Sequence, residues 1–124
     1  MEVEQLNGAD LAFIGDAYYE LCIREHVLSK GITSQYKLHN ECVKYVSRDA
    51  QATIVKALFD AFSEKEKEIF KRGRNYNYKT KTQEYIIASG FEAVIGYLYL
   101  SKNMDRLKEI ISKSIELVED GQNA

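Results

Sequence analysis

Residues 10–20 read DLAFIGDAYYE, an apolar run broken by a glycine and an aspartate at adjacent positions, Gly15 and Asp16. Apolar residues recur here at three- and four-residue spacing, which is the helical period. A glycine inside a helix costs ~1 kcal/mol relative to alanine, and a carboxylate among apolar neighbours is costly unless it meets a cation or hydrogen-bond donors. Two such costs side by side point to a site rather than to packing alone.

The same period continues on both sides of this stretch, and the chain contains no proline. The fold class expected is therefore all-α. The first helix is predicted to start after Asp10 as N-cap and to run to about Lys30, with Gly31 as a left-handed stop. A second follows Thr33 or Ser34 over QYKLHNECVKYV, and a third opens at Ser47 with SRDAQATIVKALFDAF. Ser63 and Glu66 form an S-x-x-E capping box for a fourth, SEKEKEIFKRG, which Gly73 is expected to end. The polar stretch RNYNYKTKT reads as a loop, and a fifth, largely apolar helix spans about Gln83 to Ser101. A sixth, amphipathic helix covers DRLKEIISKSIELVED, leaving a frayed tail over about 120–124. At 124 residues without a linker-like stretch, 1–124 is expected to form a single domain.

No apolar run approaches the ~18 residues that span a bilayer, and MEVEQLNGAD lacks the basic start and apolar middle of a signal peptide. A soluble, cytoplasmic protein with no membrane partner is expected. Cys22 and Cys42 are too few for a disulfide framework and lack zinc-ligand spacing, so they read as buried free thiols. The formal charge of −2 speaks against a generic nucleic-acid binder until the charges are located. From Lys71 to Thr82, KRGRNYNYKTKT holds five basic residues (Lys71, Arg72, Arg74, Lys79 and Lys81) and no acid. The rest of the chain then sets 12 basic against 19 acidic residues, a net of −7. One cationic segment on an acidic body is the footprint of a phosphate backbone contact, in which Asn75 and Asn77 can join; a solvated basic loop is the plainer alternative.

A second polar interruption lies in ASGFEAVIG, residues 88–96, where Glu92 stands in an apolar stretch with Ser89, Ala93 and Gly96 at helical spacing. Ala12, Gly15, Asp16 and Glu20 repeat that pattern on the first helix. Small residues permit close helix approach, so packing these faces together would bring Asp16 and Glu92 into one groove. There, two like charges need a shared proton or a bound cation. Magnesium is the natural partner, because it takes oxygen ligands and is satisfied by one or two carboxylates beside waters and substrate phosphates; manganese can stand in for it. These residues alone define a candidate metal-dependent nuclease. The plainer alternative pairs Asp16 with Arg24 or Lys44, and Glu20 with Arg24 four residues on. His26 and His39 carry no partner pattern. Tyr18, Tyr45, Tyr85, Tyr97 and Tyr99 read as core or interface residues, which leaves Tyr76 and Tyr78 for base stacking.

LAFIGDAYYE resembles the signature helix of the ribonuclease III family, and FEAVIGYLYL resembles its second metal-binding helix. VSRDAQA (46–52) and KRGRN (71–75) are similar to segments of that family's short bacterial branch, the Mini-ribonucleases III, which lacks a double-stranded-RNA-binding domain. The likeness runs from about residue 9 to 101. It implies a ribonuclease III-type helical endonuclease domain, a homodimer, magnesium-dependent cleavage of double-stranded RNA, and a role in maturing the large-subunit (23S) ribosomal RNA precursor, with a ribosomal protein as a candidate further partner. By position, Asp16 and Glu92 match the family's catalytic metal-binding acids, while Lys71, Arg72, Arg74 and Asn75 match the branch's RNA-contacting stretch. The longer enzymes carry further acids where this chain has Ala12 and Ser89, so Glu20 or the Ser89 hydroxyl is a candidate to compensate. Those departures open one alternative, a module of this fold that grips structured RNA without cutting it; a second alternative is a helical interaction domain whose carboxylates are structural.

Overall fold

The computed structural model describes residues 1–75 and 82–122. Six α-helices follow in order: α1 (Gly8–Ser29), α2 (Gln35–Val46), α3 (Arg48–Leu58), α4 (Glu64–Arg74), α5 (Gln83–Leu100) and α6 (Met104–Gln122), with single 3-10 turns at Val3–Gln5 and Phe59–Ala61. No strand occurs among the described residues. α5 is hydrophobic nearly all round and lies at the centre, packed on α1, α3, α4 and α6. All six helices feed one core, which includes Leu11, Tyr19, Tyr45, Ile54, Ile69, Phe91 and Leu107.

Most helix boundaries follow the capping chemistry expected of the sequence. Ser34 and Ser47 accept from the backbone N–H groups of Lys37 and Ala50, and the Ser63–Glu66 box is formed in both directions. Gly31 adopts φ +83° just beyond α1, in the left-handed region where a glycine carries no Cβ penalty. Four expectations need correction. α1 begins three residues earlier than predicted, because Asn7 is the cap, accepting from Asp10 N–H at 2.8 Å. Asp10 becomes a first-turn acid, favourable at the positive end of the helix dipole.

α3 stops at Leu58 instead of continuing to Phe62. The chain tightens into a 3-10 turn that buries Phe62 against Phe59 and Phe70 before Ser63 caps α4. Gly73 does not end α4, which runs on to Arg74. Its role is close approach, since a Cβ there would lie 2.6 Å from the Ala93 Cβ on α5. Finally, α6 extends through Gln122, so residues 120–122 are helical where a frayed tail is expected, and 123–124 lie outside the described residues.

Two ion-pair clusters fasten α6. Arg106 donates to both oxygens of Glu66, at 2.9 and 2.8 Å, and to the Ala61 carbonyl. At the other end Glu119 meets His26, Lys30 and Tyr45, joining α6 to α1 and α2. Cys42 is buried as expected, whereas Cys22 is half-buried; both are free thiols.

Candidate functional site

α1 and α5 cross backbone against backbone. A Cβ built on Gly15 would fall 1.7 Å from the Glu92 carbonyl oxygen, and one built on Gly96 would fall 1.9 Å from that of Leu11. No side chain separates the helices at this point. Residues 15 and 92 touch through main chain, and the neighbouring Asp16 and Glu92 side chains are brought face to face.

The site is a cleft of about 540 Å³ lined by residues of α1, α3, α5 and the α2–α3 junction. Its α5 wall is one helical face, formed by Tyr85, Ala88, Ser89 and Glu92 at spacings of three, one and three. Opposite, the first turn of α3 contributes Arg48, Asp49 and Gln51. Burial, and then the Asp16 carboxylate beside it, push the Glu92 carboxyl up to about 8, against a weaker downward pull from Gln51 and Arg48. Asp16 has no ion-pair partner among the described residues. Its two plain candidates are occupied elsewhere, Arg24 with Glu20 at 3.1 Å and Lys44 with Glu41 at 2.9 Å.

The donor set suits a hard cation in part. Two carboxylates face each other with no ion pair to either among the described residues, Arg48 on the cleft wall exerting only a weak pull on Glu92, and the side chains that line the space around them are rich in oxygen. Among the described residues no third carboxylate, histidine or cysteine completes a three-ligand cluster. A cation here would draw its remaining ligands from solvent or substrate, as magnesium commonly does.

Several predicted residues lie elsewhere. Glu20 is paired with Arg24 in a separate groove between α1 and α2, which corrects its candidacy to compensate for the missing acids. Ser89 does line the cleft, whereas Ala12 is buried outside it. Lys71, Arg72, Arg74 and Asn75 end α4 and do not line the cleft. Lys71 is exposed, and Arg74 sits over the Phe70 ring and donates to Asn75. Arg72 is engaged with Glu68 and with the carbonyls of Glu4 and Leu6, so it clasps the N-terminal turn onto α4. Tyr76, Asn77, Tyr78, Lys79 and Lys81 lie outside the described residues.

Among the cleft residues, Arg48 and Gln51 have no individual role in the sequence reading, and Tyr85 is expected there as a core or interface residue. Arg48 is held over the Tyr85 ring at 4.4 Å, which makes Tyr85 a wall of the cleft rather than core. For Gln51 a signal existed in its register. It stands three and four residues before the buried Ile54 and Val55, a core position occupied by an amide.

The Ribonuclease III domain family matches residues 9–103, and this defines the class of the protein. At the level of individual relatives, the chain is 44% identical to the Mini-ribonuclease 3 of Streptococcus pneumoniae, covering 96% of this chain and 98% of that one. It is 45% identical to the Mini-ribonuclease 3 of a Thermoanaerobacter species, covering 95% and 87%. A crystal structure of a protein from Fusobacterium nucleatum superposes with a TM-score of 0.82 at 33% identity, over 90% of this chain and 93% of that one. The chain belongs to the ribonuclease III family, in its Mini-ribonuclease III branch, and is an endoribonuclease.

Proposed function

We propose that this endoribonuclease cuts double-stranded RNA at the Asp16–Glu92 cleft in a magnesium-dependent reaction, with manganese as a substitute. The observation that carries the proposal is the facing pair of acids that forms no ion pair among the described residues while Glu92 is pushed up to about 8. Asp16 and Glu92 would hold the cation, which when bound supplies charge stabilisation at the phosphate and a more acidic water. The chain's own residues supply the rest. Gln51 holds Glu92, the Ser89 hydroxyl offers a further oxygen in the cleft, and Arg48, anchored on Tyr85, presents positive charge to an incoming phosphate. Lys71, Arg74 and Asn75, with Lys79 and Lys81 beyond the described residues, would carry the duplex backbone. Arg72 is the weakest candidate of that group, because its guanidinium already has three partners.

The likeness to Mini-ribonucleases III further supports the large-subunit ribosomal RNA precursor as substrate, a cytoplasmic setting, and a ribosomal protein as a candidate partner. No helix among the described residues is long and apolar enough to cross a membrane. A homodimer is proposed on the same likeness, supported by an exposed stripe on α1. Phe13, 77% exposed, is followed at spacings of four, four and seven by Ala17, Leu21 and Leu28, all exposed. A second copy covering that stripe would border the cleft, because Phe13 lies one turn before Asp16.

The proposal is tested by metal-linked stability. Added Mg2+ raises the melting temperature of the wild type and leaves that of Asp16→Asn unchanged, because a ligand that binds only the folded state stabilises it. Protons enter with a defined sign. In the metal-free fold Glu92 binds a proton from its ordinary range up to about 8, so that contribution to stability is present at low pH and is lost as pH rises through that window. Cation binding must displace this proton. Apparent Mg2+ affinity is thus expected to rise by up to ~tenfold per pH unit below about 8 and to level off above it. A pH-independent affinity from about pH 6 to 9 rules out Glu92 as a ligand.

The cationic segment has its own assay. Replacing Lys71 with alanine reduces the slope of log affinity for duplex RNA against log salt by about one phosphate contact. An unchanged slope removes Lys71 from the RNA surface.

A further inference from the structure

The α3 wall of the cleft carries one acid, Asp49, which forms no three-ligand cluster with Asp16 and Glu92, and it also carries a buried polar group in contact with Glu92. Gln51 is 2% exposed. Its amide nitrogen donates to the Val46 carbonyl at 3.1 Å and to Glu92 Oε2 at 3.3 Å. Two acceptors around one end of the amide identify that end as the nitrogen. The other end, Oε1, is then buried with no donor among the described residues.

That combination distinguishes two roles for Gln51. If it served packing alone, an apolar side chain of the same length would fill the space without stranding an acceptor, and would be the more stable choice. What an apolar side chain cannot do is tether Glu92. The Val46 carbonyl ends α2, where helix carbonyls lack intrahelical partners, and Ser47 next to it caps α3. One amide therefore links the Glu92 carboxylate to the rigid junction of two helices. With Oε2 held, the carboxylate no longer turns freely about its last torsion.

We infer that Gln51 is a positioning residue that fixes the orientation of the Glu92 carboxylate opposite Asp16 and thereby sets the cation affinity of the pair. The inference rests on the proposed cation role of those two acids. Outer partners that orient a ligand typically change metal affinity by about 10- to 100-fold when removed.

The test uses Mn2+ as probe, with the free ion followed by electron paramagnetic resonance, and compares wild type, Gln51→Met and Gln51→Asn. Methionine keeps the length and the packing but has no N–H. Its expected result is Mn2+ binding weaker by about 10- to 100-fold, with a melting temperature in EDTA no lower than that of the wild type. Asparagine keeps the amide but not its reach, so it also weakens Mn2+ binding, and it decides the matter if the methionine variant does not fold. Mn2+ affinity within twofold of wild type in a folded variant overturns the inference, as does a lower metal-free melting temperature with affinity intact. Both of those results leave the Asp16–Glu92 site standing. A wild type that binds no Mn2+ overturns the cation reading itself, and the role of Gln51 with it.

Discussion

Asp16→Asn is expected to slow cleavage of a long RNA duplex by on the order of a thousandfold or more at saturating Mg2+, the scale of losing a group that stabilises charge in the transition state. The substitution is nearly isosteric, and Asp16 is exposed at the mouth of the cleft, so the fold should persist. Its effect on stability has the opposite sign. In the metal-free protein Asp16 is the second-largest cause, after burial, of the unfavourable ionisation of Glu92. Neutralising it removes a like-charge repulsion, and the EDTA-treated variant should melt above the wild type once the pH passes about 8 and Glu92 ionises. Lost activity joined to gained metal-free stability is the signature of a site built against its own stability. The measurement is duplex cleavage with a single-stranded control, alongside thermal melting in EDTA. Cleavage within about tenfold of wild type would show that the reacting phosphate is handled elsewhere.

Gly15→Ala should cost about 3 kcal/mol or more, the upper end for overpacking a core. Ordinary overpacking is relieved when a neighbouring side chain changes rotamer, but here the atom met at 1.7 Å is the Glu92 carbonyl oxygen, with Gly96 N at 2.8 Å. Relief requires the helices themselves to separate. Because the displaced atoms belong to Glu92, the same change should also weaken Mg2+ binding. Gly121 supplies the control, since a Cβ there meets nothing within 4 Å. Gly121→Ala should be neutral or stabilising by up to ~1 kcal/mol. Urea denaturation of both variants checks the contrast, and a cost below about 1 kcal/mol for Gly15→Ala would refute the close-contact account.

Much of this molecule could be read before it was seen folded, for reasons specific to each residue. Ser34, Ser47 and the Ser63–Glu66 box announce helix starts because capping is a local interaction across three residues. Gly15, Asp16 and Glu92 were legible because each breaks an apolar period at some cost, and two such breaks with small neighbours imply one meeting point. Gly73 misled because a glycine near a helix end serves equally as a stop or as a contact, and only the presence of α5 decides between them. Likewise Asn7 and Asp10 are both competent caps. Arg72 was indistinguishable from its basic neighbours until Glu4 and Leu6, more than sixty residues away in the chain, supplied its partners. Gln51 was a missed opportunity rather than a hidden one, since a glutamine at an inward position of α3 is the same kind of anomaly as Glu92.

The cleft has two kinds of wall, and they differ in how freely they can be re-engineered. Between α1 and α5 the gauge is a main-chain dimension, set where Gly15 and Gly96 let the two backbones meet. No choice of side chain adjusts it. By contrast, α3 reaches α5 across the cleft through side chains, Gln51 to Glu92 and Arg48 to Tyr85. Protein engineers who want a different metal preference or a different RNA phosphate grip should treat the α1–α5 crossing as a fixed chassis and α3 as its exchangeable jaw.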